Sequence, residues 1–185
     1  QHLNILDSNI LQKLNVIDSR KIYDVVSCQF ALHYFAKSEE TLDNVLKIIS
    51  QKLRKGGMFI GTATDGDRIK NILDIGNVNI PLLTLVKKFD TNYLFYIDTE
   101  ESTKKTSISN LRKNYFEIQG VSSEFYLFKQ TLIKLALKNG LELVKIKSFY
   151  EWYCGGNSSG YNGPKMTPYE MIISFLNFSF VFIKK

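Results

Sequence analysis

Cysteine is scarce in this 185-residue sequence, with only Cys28 and Cys154 present. Two thiols exclude a disulfide scaffold and a multi-cysteine zinc module, and free thiols suit a reducing compartment. Two histidines leave no His-rich metal cluster. No stretch of about 18 consecutive apolar residues occurs, so no membrane span is expected. The opening Gln1-His2-Leu3 has neither a basic region nor an apolar segment behind it, so no signal peptide is expected. It also lacks an initiator Met, and the chain reads as a piece of something longer. No GxGxxG or P-loop follows a strand, and no Gly-x-Ser-x-Gly elbow exists, so hydrolase chemistry has no support.

What is present is an ordinary globular balance. The hydrophobic fraction is 44% and the charged fraction 23%, which excludes wholesale disorder and fits one domain. The formal charge is +6. A basic surplus points to a polyanionic partner, with Lys87, Lys88, Lys104, Lys105 and Lys165 as candidates because they lie in or beside polar loops. A sequence rich in Ile, Asn and Lys also carries such a surplus without any partner.

Residues 22–32 open with an apolar, β-branched run, the pattern of a buried parallel strand. Leu42, Val45, Leu46, Ile49 and Leu53 recur at helical spacing behind Ser38 as N-cap, and Gly56-Gly57 is the expected stop. Met58 to Ala63 is a second strand, which completes a βαβ unit. A helix over 65–75 begins at Asp65 and Asp67. An insertion at about 76–123 carries antiparallel strands at Tyr93–Ile97 and Tyr115–Ile118. Ser122-Ser123-Glu124 opens a helix that ends at Asn139-Gly140. Leu141 to Phe149 is a strand, 154–164 a Gly-rich loop, 169–173 a helical turn or two, and Phe175 to Ile183 an aromatic terminal strand. The order predicts an α/β doubly wound sheet with an antiparallel hairpin at its C-terminal edge, whose ligands bind at the carboxyl ends of the strands.

At that carboxyl end of the first strand stand Gln29, His33 and Tyr34, which supply donors, acceptors and an aromatic face. The bland alternative is a polar helix start and a buried, singly partnered histidine.

Tyr23-Asp24-Val25-Val26-Ser27-Cys28-Gln29-Phe30-Ala31-Leu32-His33-Tyr34 resembles the signature of the mRNA cap guanine-N7 methyltransferases. The similarity continues through Leu53-Arg54-Lys55-Gly56-Gly57-Met58-Phe59-Ile60-Gly61-Thr62. It returns at Ser123-Glu124-Phe125 and at Lys147-Ser148-Phe149-Tyr150-Glu151-Trp152-Tyr153, and ends with Tyr169-Glu170 and the aromatic last strand. The composition is similar to that of capping enzymes of large DNA viruses, of the African swine fever virus type.

The resemblance implies a class I S-adenosylmethionine-dependent methyltransferase fold, Rossmann-like, with 1–185 as the C-terminal portion of one domain and the glycine-rich motif upstream of Gln1. It implies S-adenosyl-L-methionine as cofactor, with S-adenosyl-L-homocysteine as product. Gln29, Tyr34 and Phe30 match cofactor positions, and Asp7-Ser8 falls near an adenine-contacting Asp; an N-cap is the other reading of Asp7. His33, Glu124 and Phe175 match cap contacts, Glu124 by reading the guanine edge; a helix first-turn acid is its other reading. Phe175 stands where the family has Tyr, and Thr64 where it tends to have Pro. No residue is expected to be catalytic as acid or base, because guanine N7 carries no proton.

The implied partner is the capped mRNA 5′ end, with capping domains linked upstream. The implied location is cytoplasmic, in a viral factory or virion for a viral protein and nuclear for a cellular one. A catalytically silent methyltransferase-like module that binds RNA or a partner, or an enzyme for another small molecule or base, are the competing readings.

Overall fold

The computed structural model describes residues 21–97, 122–155 and 166–185. Two four-stranded sheets are present among them. In the first, β1 (Tyr23–Gln29) runs parallel to β2 (Leu53–Thr64), and α1 (Glu39–Lys52) connects them. The order across this sheet is β1, β2, β8 (Asn177–Lys184), β7 (Leu141–Ser148), with β8 antiparallel to both of its neighbours. The predicted antiparallel hairpin, β7 and β8, thus forms this edge of the sheet, with its second strand lying between β2 and β7.

The second sheet is wholly antiparallel, in the order β3 (Val78–Ile80), β4 (Leu83–Phe89), β5 (Asn92–Ile97), β6 (Ser122–Phe125). The sequence located β5 but neither β3 nor β4. The strand expected at Tyr115–Ile118 lies outside the described residues. Three further helices follow from the chain order: α2 (Gly66–Ile75), α3 (Lys129–Lys138) and α4 (Phe149–Gly155); α5 (Pro168–Ser174) precedes β8. None of the described helices is long and apolar enough to cross a membrane.

Two cores form. Phe59, Phe178, Phe180 and Phe182 on one face of the first sheet meet Leu42 and Leu46 of α1 and Leu132, Leu135 and Ala136 of α3. The second sheet buries Leu83, Leu85 and Tyr93 against Ile69 and Leu73 of α2, with Tyr126 and Leu176. Gly61 is required where the two strands cross the first core, because a Cβ there would overlap the Cys28 carbonyl oxygen and the Phe180 ring.

Local chemistry explains most boundaries. The Ser38 hydroxyl accepts from the Thr41 amide at 3.2 Å, so the N-cap falls where expected. The Gly56-Gly57 stop does not. The helix ends at Lys52, the chain extends at once from Leu53, and the Lys184 ammonium donates to the carbonyls of Ser50 and Leu53 at 2.7 and 2.8 Å. The two glycines serve a bulge instead: Tyr23 faces Leu53 but Val25 faces Met58, and Gly56 takes a φ of 75° in the excess.

Among the described residues β1 stands at the edge of its sheet, so Val26 and Cys28 pack on the core while Tyr23, Val25 and Gln29 are exposed.

The helix predicted from Ser122 is also corrected. Ser122–Phe125 pairs with β5, and α3 begins seven residues later, at Lys129. Phe175 is the C-cap of α5 rather than part of a strand. A Thr167–Glu170 capping box starts that helix.

Candidate functional site

The chain leaves β1 through Phe30 at a φ of 49°, and the backbone amide of Phe30 returns to the Thr62 carbonyl at 2.9 Å. This turn launches the 3₁₀ turn Leu32–Phe35, which packs against β2 and β6. Four predicted residues, Gln29, Phe30, His33 and Tyr34, sit on it or beside it. The Gln29 amide is held on both sides: its Nε2 donates to Ser27 at 2.9 Å, and its Oε1 accepts from Thr62 at 2.8 Å. The Phe30 ring is half exposed and meets Phe149 edge-on at 6.1 Å. The Tyr34 hydroxyl is 3.2 Å from that of Ser122 in β6.

Because β6 is a strand, its alternation turns Glu124 inward while Ser123 points out. Glu124 is 5% exposed and His33 is 2% exposed, and Nε2 of the imidazole lies 3.5 Å from the carboxylate. The sequence motifs held 91 residues apart are thus brought together. The reading of Glu124 as a helix first-turn acid is overturned.

Among the described residues, neither nitrogen of His33 has a hydrogen-bond partner. A buried imidazole without partners gives up hydration with no return, which is a cost that a bound polar group would offset. Burial pushes His33 down to about 4. Burial also pushes Glu124 up to about 7, against hydrogen bonds from Tyr93 and Ser122 that favour its charged form. The order of the two values decides the nature of the contact: Glu124 takes its proton before His33 does. The pair is therefore never predominantly an ion pair, despite its geometry.

The sequence reading set Tyr93 aside as core. It is core, being fully buried, but its hydroxyl lies 2.9 Å from Oε2 of Glu124 and 3.1 Å from Oγ1 of Thr64. One phenolic proton serves one acceptor. The phenol is placed to donate to either oxygen, and the carboxylate is the stronger acceptor. Thr64, where the resembling family tends to have Pro, supplies a side-chain acceptor that Pro lacks. No periodicity could have flagged Tyr93, because its apolar ring and its polar tip serve different neighbours.

Asp65, beside Thr64, caps α2 through Arg68 and is paired with the Lys129 ammonium at 2.6 Å. Phe175 packs against the rings of Tyr150 and Tyr153, at centroid distances of 5.3 and 5.4 Å. Asp7, Ser8, Lys104, Lys105 and Lys165 lie outside the described residues. Lys87 is paired with Asp74 at 2.9 Å and with Asp90 at 3.6 Å.

The chain is 30% identical over 132 residues to the mRNA cap guanine-N(7) methyltransferase of Drosophila melanogaster, covering 70% of this chain and 29% of that protein. It is 29% identical over 135 residues to the probable mRNA-capping enzyme of Acanthamoeba polyphaga mimivirus, covering 69% of this chain and 11% of that protein. The chain thus spans less than a third of the length of these two relatives.

A solved Listeria monocytogenes structure, provisionally described as an S-adenosylmethionine dependent methyltransferase, superposes with a TM-score of 0.51. It is 16% identical and covers 89% of this chain and 63% of that one. The fold is accordingly that of the class I S-adenosylmethionine-dependent methyltransferases. Residues 6–161 match the mRNA (guanine-N(7))-methyltransferase domain, and the chain belongs to that family.

Proposed function

We propose that the chain is the C-terminal portion of an mRNA cap guanine-N7 methyltransferase domain, with a strand-rich insertion at about 76–123. In this reading a methyl group passes from S-adenosyl-L-methionine to N7 of the 5′ guanosine cap. The observation that carries the reading is the buried Glu124 carboxylate, anchored by Tyr93 beside an imidazole with no hydrogen-bond partner among the described residues. Guanine presents N1–H and an exocyclic amine on one edge, and a carboxylate accepts both; adenine offers no such pair. His33 supplies a further donor or acceptor at the same place.

The residues at the carboxyl end of β1 fit the cofactor. Phe30 offers a half-exposed apolar face, and Gln29 has an amide hydrogen beyond the one given to Ser27. Asp7 and Ser8 belong to this reading through family resemblance. When bound, the cofactor supplies an activated methyl group on a sulfonium. The chain's task is to hold guanine N7 towards it, by proximity and electrostatic fit. N7 has a lone pair and no proton, so neither His33 nor Glu124 has to remove one. The mimivirus relative supports a viral source in general, not the African swine fever virus type in particular.

The test is methyl transfer by the full-length protein to capped and uncapped RNA of one sequence. Transfer confined to the capped RNA is expected. Cap binding without transfer would make this a silent module, and transfer to uncapped RNA would assign it another substrate.

A further inference from the structure

We infer that the outer surface of α4, centred on Trp152, is a platform for the RNA strand adjoining the cap. The inference rests on the capped-RNA reading above and extends it to a surface beyond the His33–Glu124 pair.

Trp152 is 46% exposed, yet its ring is fixed. The indole N–H donates to Ser179 at 2.7 Å. The ammonium groups of Lys145 and Lys147 lie 4.2 and 4.4 Å from the ring centre. Both lysines rise from β7 at alternate positions, opposite Val181 and Ser179, so they share the sheet face that holds the indole. With both ammonium groups over it, the ring still keeps close to half of its surface exposed.

Tyr150 and Tyr153, also about half exposed, continue the aromatic surface around Phe175. The one acid of this helix, Glu151, is turned back onto the Ser148 amide and hydroxyl at 2.7 and 2.6 Å. What remains outward is aromatic and cationic. A protein interior has no use for that combination, whereas a single strand stacks its bases on such rings and its phosphates on such ammonium groups.

The platform adjoins the site on two sides. Ser179 lies between Thr62 and Lys147 in the sheet, and Thr62 is bonded to Gln29. The indole is thus about two strand spacings, ~10 Å, from the Gln29 column. Thr64, which bonds to Tyr93, pairs with Asn177, two residues beyond Phe175. A nucleotide chain leaving the guanine pocket has a short path onto α4.

The experiment measures binding of full-length wild-type, Trp152→Ala, Trp152→Phe and Lys145→Ser/Lys147→Ser proteins to three probes. These are a cap dinucleotide, a capped RNA of about ten nucleotides and the same RNA uncapped. Trp152→Ala should weaken the capped oligomer about tenfold or more and leave the dinucleotide unchanged. Trp152→Phe, which loses the Ser179 bond but keeps a smaller aromatic ring, should retain more affinity than Trp152→Ala and show that the fold persists. The lysine pair should flatten the log–log salt dependence by about 1.4, the expectation for two single-strand phosphate contacts.

Unchanged oligomer affinity in the Trp152→Ala and lysine variants, or equal loss for the dinucleotide, would overturn the platform. The uncapped RNA separates this from the cap reading. If wild type binds both oligomers alike, cap reading fails, while a Trp152-dependent loss on both would still uphold the platform.

Discussion

The hydroxyl of Tyr93 donates to Oε2 of Glu124 at 2.9 Å from within the core of the second sheet, so a core residue holds the acid that faces His33. The bond favours the carboxylate form, against the burial that pushes Glu124 up to about 7. Tyr93→Phe should raise Glu124 further and weaken cap binding about ten- to hundredfold at neutral pH, the worth of a hydrogen bond to a charged group. The deficit should shrink as pH rises, because base restores the carboxylate that the variant disfavours. Fluorescence titration with a cap analogue between about pH 6 and pH 9 checks both parts. A deficit that does not change with pH would mean that Tyr93 only shapes the pocket.

His33 and Glu124 bias stability in opposite directions. His33, pushed down to about 4, contributes stability above its ordinary 6.5 that is lost as pH falls towards 4. Glu124, pushed up to about 7, contributes stability below its ordinary 4.5 that is lost as pH rises towards 7. Between about pH 4.5 and 6.5 the slopes cancel, so wild type should show no pH trend from this pair. Glu124→Gln should leave stability rising with pH across that window, and His33→Gln should leave it falling. Each isolated trend should amount to about 3 kcal/mol at most. Urea denaturation at a series of pH values reads the trends directly. Slopes of the same sign in both variants would contradict the account.

Gln29→Ala should reduce affinity for S-adenosylhomocysteine about five- to tenfold while leaving cap analogue binding nearly intact. The amide stands at the carboxyl end of β1, braced by Thr62 and Ser27. Calorimetry with each ligand makes the comparison. An unchanged cofactor affinity would reduce Gln29 to a residue that finishes a strand.

Gly61→Ala should be among the most damaging single substitutions in the first sheet. The added methyl group meets a carbonyl oxygen of β1 and a core aromatic ring at once, so β1 and β8 cannot both keep their register. A loss of roughly 3 kcal/mol or more is expected, seen as a lowered Tm by calorimetry. Gly76→Ala, with open space around its Cβ position, is the matched control.

Local patterns were legible where one neighbour decides the outcome. Ser38 and Asp65 announce helices because an N-cap needs only the next turn. The signature through Tyr34 announced the end of β1, and Glu124 was found by resemblance. What escaped was decided across the chain. Ser122-Ser123-Glu124 has the polarity of a helix start, but β5 offers it a ladder, and that pairing prevails. The same strand pairing turns Glu124 inward, which a helix at this point would not have required. Gly56-Gly57 looked like a stop because a bulge and a C-cap both call for a positive φ. Trp152 gave no sign of its lysines, since a cation over an indole depends on how α4 folds back over β7.

The position of β8 gives this sheet an order in time. β2 and β7 are neighbours only through β8, and β8 is the last strand in the described chain. During synthesis β1, α1 and β2 can form early as a local unit, but among the described strands β7 pairs only with β8 and must wait for it. The residues of β8 are therefore the ones that zip the sheet, and Phe178, Phe180 and Phe182 reach the core together in that single step.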